Sequence, residues 1–293
     1  MRRSGGKELR RVTLIGSCFS GFLKRPLQAL AASHKYPAMG PLEFQTHTIW
    51  QRIDSIVDII NGNIPDRALV QFYLDNGHWE LDRPLGIKIS HAIRDSRWFA
   101  NAILDENLKA IHLVNDTPDL LIFDSLSDWR HPLYRHRRHD WKCFLGKILF
   151  DRKDIEERFL KDFDFIKLLD LNDINRCIKS IMGFFKARNK DLKTVYIHFP
   201  ATPGYLDYKW VARAEELQRT VALLKNEFDK SAFHQLIIPK DRVKPLTDPA
   251  HPNYSKDVWN HFYEEVYDYC AESIFEWVEN TERKVLVPFE EGA

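Results

Sequence analysis

Short, mostly apolar runs alternate along the chain with longer stretches in which apolar residues return every three or four positions. Val12-Thr-Leu-Ile15 is closed by Gly16, and Phe19 to Ala32 then follows helical spacing. Leu120-Leu-Ile-Phe123, Thr194-Val-Tyr-Ile-His198 and Gln235-Leu-Ile-Ile238 are runs of strand length with no in–out alternation. Runs of that kind mark strands buried on both faces, as in a parallel sheet. Trp210, Ala214, Leu217, Val221 and Leu224 form the apolar stripe of a crossover helix, and Leu42-Glu-Phe-Gln45 is the expected second strand. After the last run, Ser255 can cap a helix with Val258, Phe262, Val266, Tyr269 and Trp277 on its inner face. The alternation predicts an α/β domain of three layers, α/β/α, around a central, mostly parallel sheet.

Two segments depart from this rhythm. Asn76-Gly77 stands between β-type residues, from Phe72 to Leu81, and predicts a hairpin near 70–82. The interval from Ser125 to Lys193 exceeds one crossover and predicts a helical insertion near 130–190. With no repeat and no long Pro/Gly linker, residues 1–293 read as a single domain.

Charge then narrows the partners. Lys and Arg number 43 against 42 Asp and Glu, so no whole-molecule field draws nucleic acid or an anionic membrane. Charged residues interrupt every apolar run before it could span a bilayer, and the run after MRRSGGKELRR is too short for a signal-peptide core. The four cysteines, Cys18, Cys143, Cys177 and Cys270, are scattered without a CxxC pair. A reducing, cytoplasmic setting is expected.

Chemistry concentrates at two places. Ser17 stands where the first strand ends and a helix begins, so its amide lies at a helix N-terminus able to steady a negative oxygen. Taken alone, such a serine is more often only an N-cap. Asp248-Pro-Ala-His251 lies between the last strand and the C-terminal helix, and sets a carboxylate three residues ahead of an imidazole. A serine nucleophile needs both, a base for its proton and an acid to fix the base's tautomer.

A serine after the first strand with Asp-x-x-His after the last resembles the SGNH (GDSL-like) hydrolase superfamily. Leu14-Ile-Gly-Ser-Cys-Phe-Ser20 is similar to its G-S-C-F/V variant, seen in GSCFA-like and SGNH-like domains of bacterial polysaccharide biosynthesis clusters. The resemblance implies an SGNH/flavodoxin-like fold with Ser17 as nucleophile, Asp248 as orienting acid and His251 as base. It also implies serine-dependent acyl transfer at a carbohydrate oxygen, as an O-acetyltransferase or an acetyl esterase. The family's Gly after the second strand and Gly-x-Asn-Asp after the third are missing, for the chain reads Thr46-His47-Thr48 and Asp124-Ser125 there. Beside the Ser17 amide, Thr46, His47 and Ser125 are therefore the oxyanion candidates. The missing blocks support a non-catalytic SGNH-like binding or assembly protein as the alternative. Cys18, the neighbour of Ser17, is the alternative nucleophile, since a thiolate is intrinsically the stronger one; with Ser17 in that role by the resemblance, Cys18 reads as a small buried residue.

The segment from Arg130 to Lys142 is the densest in cations. Arg130, Arg135, Arg137 and Arg138 are candidate anion binders beside the Ser17 cleft, with Trp129, Tyr134 and Trp141 available for stacking; a solvated loop is the equal alternative. His131, His136 and His139 lack an acid or thiol at ligand spacing, so no metal is expected. The expected substrate is a carbohydrate or an acylated small molecule, with no permanently bound cofactor and acetyl-CoA as a soluble acyl donor.

Overall fold

The computed structural model describes residues 8–80, 97–145, 147–200, 208–246, 248, 250–251 and 262–286. First along the chain are β1 (Leu9–Gly16), α1 (Cys18–Ala32) and β2 (Met39–Ile49). Helices α2 (Ile53–Ile60) and α3 (Arg67–Asp75) lead to a short β3 (His78–Glu80). Next are α4 (Arg97–Lys109), β4 (Leu120–Asp124) and the one-turn α5 (Leu126–Arg130). An insertion follows with β5 (Leu133–His136), β6 (Lys142–Cys143), β7 (Lys147–Leu149), α6 (Lys153–Asp162) and β8 (Phe163–Ile166). Then come α7 (Ile174–Lys186), β9 (Lys193–His198), α8 (Tyr208–Ala222), β10 (Phe233–Ile237) and α9 (Glu264–Leu286).

Five of these strands form one parallel sheet in the order β10-β9-β4-β1-β2. The direction of winding reverses between β1 and β4, the switch point where open α/β sheets present ligands beyond their carboxyl ends. The inner strands β4 and β9 are buried at every residue, because helices cover both faces. β2 is an edge strand and longer than its apolar run; only an edge tolerates Pro41, which cannot donate to a ladder. In α7 the buried Ile174, Ile178, Ile181, Met182 and Phe185 make a single stripe, which is why this helix docks on the sheet. The α/β/α architecture is thus as the alternation of runs predicts.

The hairpin near 70–82 is not formed. Val70, Tyr73 and Leu74 fall on one buried helical face, so Phe72 to Leu74 belong to α3, and Asn76 is its C-terminal cap. β3 pairs instead with β7, antiparallel. Gly77 serves close packing, for a Cβ there would stand 2.5 Å from the Ile148 Cγ2. The insertion holds the helices α6 and α7, as expected, but also an antiparallel sheet of order β6-β5-β8. Tyr73, Phe159, Phe163 and Trp141 give it a core of its own, with ring centroids 5.0 Å apart for Tyr73–Phe159 and 5.4 Å for Trp141–Phe163.

A buried charge network joins the insertion to the main sheet. Arg52, 0% exposed, holds both Asp54 carboxylate oxygens at 2.6 and 2.7 Å and donates to the His131 carbonyl at 3.1 Å. Lys142 of β6 reaches Asp58 at 2.8 Å. Asp128 accepts from the Ile53 amide at 2.8 Å and from the Tyr196 hydroxyl at 2.7 Å. Arg52 and Lys142 are ion-paired and Asp128 is held by two neutral donors, so each of these groups has a partner.

Candidate active site at the carboxyl edge of the sheet

β1 ends at Gly16 with φ +150°, a conformation rarely taken by residues with a side chain. A Cβ there would also lie 2.3 Å from the Asp124 Oδ2. Ser17 follows in extended backbone as the N-cap of α1, and its Oγ accepts from the Phe19 amide at 3.1 Å. Asp124 closes β4 on the other side of the switch point. Its Oδ2 accepts from the amides of Ser17 at 2.7 Å and Ser20 at 3.3 Å, and its Oδ1 from the Leu126 amide at 3.2 Å. Ser17 and Asp124 are 1% and 2% exposed. Burial raises the Asp124 pKa, opposed by the hydrogen bonds from Ser17, Leu126 and Ser20.

A helix N-terminus attracts negative charge, and here the chain supplies that charge itself. The Ser17 amide, expected to hold a reaction oxyanion, is engaged by Asp124. Sequence alone does not reveal this role of Asp124; its one signal is a carboxylate at the end of a buried strand.

The other oxyanion candidates separate. Ser125 is at the edge: its amide donates to the Ile197 carbonyl at 3.0 Å and its Oγ accepts from the Phe199 amide at 2.8 Å. Thr46 and His47 pair in register with Thr13 and Leu14, short of Gly16, so their backbone lies within the sheet rather than beyond its edge. His47 is set against α1, where a Cβ on Gly21 would come 2.9 Å from its ring. Burial lowers its pKa, which favours the neutral imidazole.

Asp248 and His251 share a tight turn. The Asp248 carboxylate accepts from the Ala250 amide at 2.9 Å, and its carbonyl from the His251 amide at 3.1 Å. The His251 Nε2 lies 3.2 Å from the Glu264 carboxylate at the start of α9. The His251 ring also meets Tyr263 edge-on. Phe262, the next residue back, packs on Phe19 and Phe199 at 5.9 and 5.5 Å, which ties this region to the first turn of α1. Among the described residues, Ser17 hydrogen-bonds with Phe19, Ser20 and Asp124, and His251 is not one of its partners. Thr247, Asn253, Ser255 and Val258 lie outside the described residues. Cys18 is half-buried rather than buried.

The basic segment forms β5, a tight turn and β6 rather than a mobile loop. Arg135 and Arg137 pair with Asp164 of β8 at 3.2 and 2.8 Å. In the turn, the Arg138 amide donates to the His136 Nδ1 at 3.2 Å. Arg130 ends α5, and its side chain and that of Trp129 lie outside the described set. Tyr134 and Trp141 are buried in the insertion core, so they cannot stack on a ligand. β-alternation turns Tyr134 and His136 toward the Phe163 side of the insertion core and puts Arg135 on the opposite face, where it meets Asp164.

Among the described residues, no group of three or more His, Cys, Asp or Glu is arranged to hold a metal, and no helix is long and apolar enough to cross a membrane. Fold and edge together define a doubly wound α/β protein with a buried Ser–Asp contact at its switch point. No protein-family model matches the chain, and no curated protein matches it. Among solved structures it is similar to the crystal structure of a carbohydrate esterase family 3 from Talaromyces cellulolyticus. That likeness has a TM-score of 0.40 at 9% identity, covering 94% of this chain and 99% of that one.

Proposed function

We propose that the protein is a serine-dependent enzyme of acyl chemistry, acting at a carbohydrate oxygen as an O-acetyltransferase or an acetyl esterase. The observation that carries this reading is the placement of Ser17, on the Gly16 turn at the first helical turn of the switch point. In this reading His251 takes the Ser17 proton, with Asp248 orienting it. The Ser17 Oγ then attacks an acyl carbonyl, and the acyl-enzyme passes its acyl group to water or a sugar hydroxyl. For the Ser17 amide to serve the oxyanion, Asp124 must release it. Burial raises the Asp124 pKa, and a neutral Asp124 would hold the amide less strongly than a carboxylate does. A cytoplasmic setting with acetyl-CoA as soluble donor belongs to the same reading.

A second reading, a non-catalytic SGNH-like binding or assembly protein, is favoured by the engagement of the Ser17 and Ser20 amides by Asp124. A fluorophosphonate probe separates the two. Labelling of the folded wild type that is lost in both Ser17→Ala and His251→Ala supports the enzyme. A wild type left unlabelled from about pH 5 to 8 sinks it in favour of binding.

A further inference from the structure

Between the carboxyl ends of β9 and β10 and the flank of α8 lies a cavity of about 340 Å³, the lower end of the range for small-molecule sites. Ser125 and His198 line it, with Phe199, Ile238 and Val243 as apolar wall and Lys240 and Glu215 at the mouth. Ser125 is 2% exposed. Its Oγ accepts from the Phe199 amide, and its hydroxyl proton has no acceptor among the described residues. A buried hydroxyl whose proton is unused by the protein and that lines a cavity can give that proton to an acceptor oxygen entering the cavity. His198 is held in one orientation: Gln235 donates through Nε2 to the Val221 carbonyl, so its Oε1 receives the His198 Nε2–H at 3.1 Å. Lys240 is exposed and, among the described residues, has no acidic partner. Glu215, on α8, is exposed and forms no ion pair with it.

We infer that this cavity is a binding site for a small organic monocarboxylate with an apolar body. Its carboxylate takes the Ser125 hydroxyl and faces Lys240, and its carbon chain lies on Phe199, Ile238 and Val243. The inference stands apart from the reactivity of Ser17, since no step passes through that residue. Two donors select the anion over a neutral isostere, and the apolar wall selects it over inorganic anions.

Titration of the full chain with butyrate and with butyramide, followed by saturation-transfer NMR and calorimetry, tests it. Butyrate binds in preference to butyramide, and Ser125→Ala weakens it about tenfold or more, as loss of a hydrogen bond to a charged group does. Lys240→Gln weakens butyrate and flattens its salt dependence, and Ala214→Trp, which fills the cavity, abolishes binding. Glu215→Gln tightens it by removing a like charge. Equal binding of butyramide, or butyrate binding that survives Ala214→Trp, overturns the inference. Ser125 also accepts from a backbone amide; if its variant does not fold, Lys240→Gln and Ala214→Trp still decide.

Discussion

Gly16→Ala is the sharpest perturbation the carboxyl edge allows. Two separate costs meet at that residue. A side chain at φ +150° is strained by about 1–3 kcal/mol. A methyl 2.3 Å from the Asp124 Oδ2 forces a shift that costs about 1–3 kcal/mol more. Together they take a large share of the roughly 5–15 kcal/mol by which a folded domain is stable. Asp124→Ala separates the two. That change leaves the amides of Ser17, Ser20 and Leu126 without their acceptor and is itself destabilising. On its background, though, Gly16→Ala meets no carboxylate and pays mainly the backbone strain. The cycle should therefore show a coupling of about 1–3 kcal/mol, with the Gly16→Ala cost smaller in the Asp124→Ala protein. The Asp124 amide nitrogen, 3.0 Å from the same Cβ position, stays in both backgrounds and keeps the coupling below the full clash. Urea unfolding of the four proteins, followed by tryptophan fluorescence and circular dichroism, measures it. Additivity within about 0.5 kcal/mol would refute the contact between Gly16 and the Asp124 carboxylate.

Stability should fall as pH rises from about 4 to 7. Burial pushes Asp128 up to about 7 and Asp58 up to about 6 from 3.8, so across that window the folded chain keeps protons that the unfolded chain has lost. Asp128→Asn should flatten the decline in urea midpoint between acid and neutral pH, and an unchanged slope counts against burial as its cause. The triple variant Arg135→Ala, Arg137→Ala, Arg138→Ala should leave fluorophosphonate labelling and butyrate affinity unchanged and cost about 0–1 kcal/mol, because two of these cations pair with half-exposed Asp164. A large fall in labelling would restore the segment to the cleft.

How much of this was legible in the sequence follows from where each signal resides. β1, β4 and β9 announce themselves because a strand covered on both faces can be apolar throughout, and β10, at the other edge, through its run Leu236-Ile-Ile238. β2 shows only its middle, since an edge strand keeps polar residues such as Glu43 and Gln45 on its open side. In α3 the helical signal was present, Val70 with Tyr73 and Leu74, but Asn-Gly carries the same residues as a hairpin turn and a helix stop. Which of the two forms is decided by β7, whose Ile148 closes on Gly77 from far along the chain. The antiparallel sheet of the insertion was hidden for a related reason. Arg135 and Arg137 look like free cations until β8 brings Asp164 beside them.

The candidate site divides along the same line. A local motif can say that Ser17 caps a helix, because the capping bond spans only two residues. It cannot say what fills the anion-attracting end of that helix, because the answer comes from Asp124, 107 residues away. Yet that occupant decides the chemistry. An empty ring of amides at a helix N-terminus is ready for an oxyanion, whereas one closed on a carboxylate is a satisfied cap that must open first. Two opposed effects set how readily it opens. The three amide bonds favour the charged carboxylate, while burial favours the neutral acid, and burial is the larger. A serine in the right place is therefore not yet an activated one at this edge.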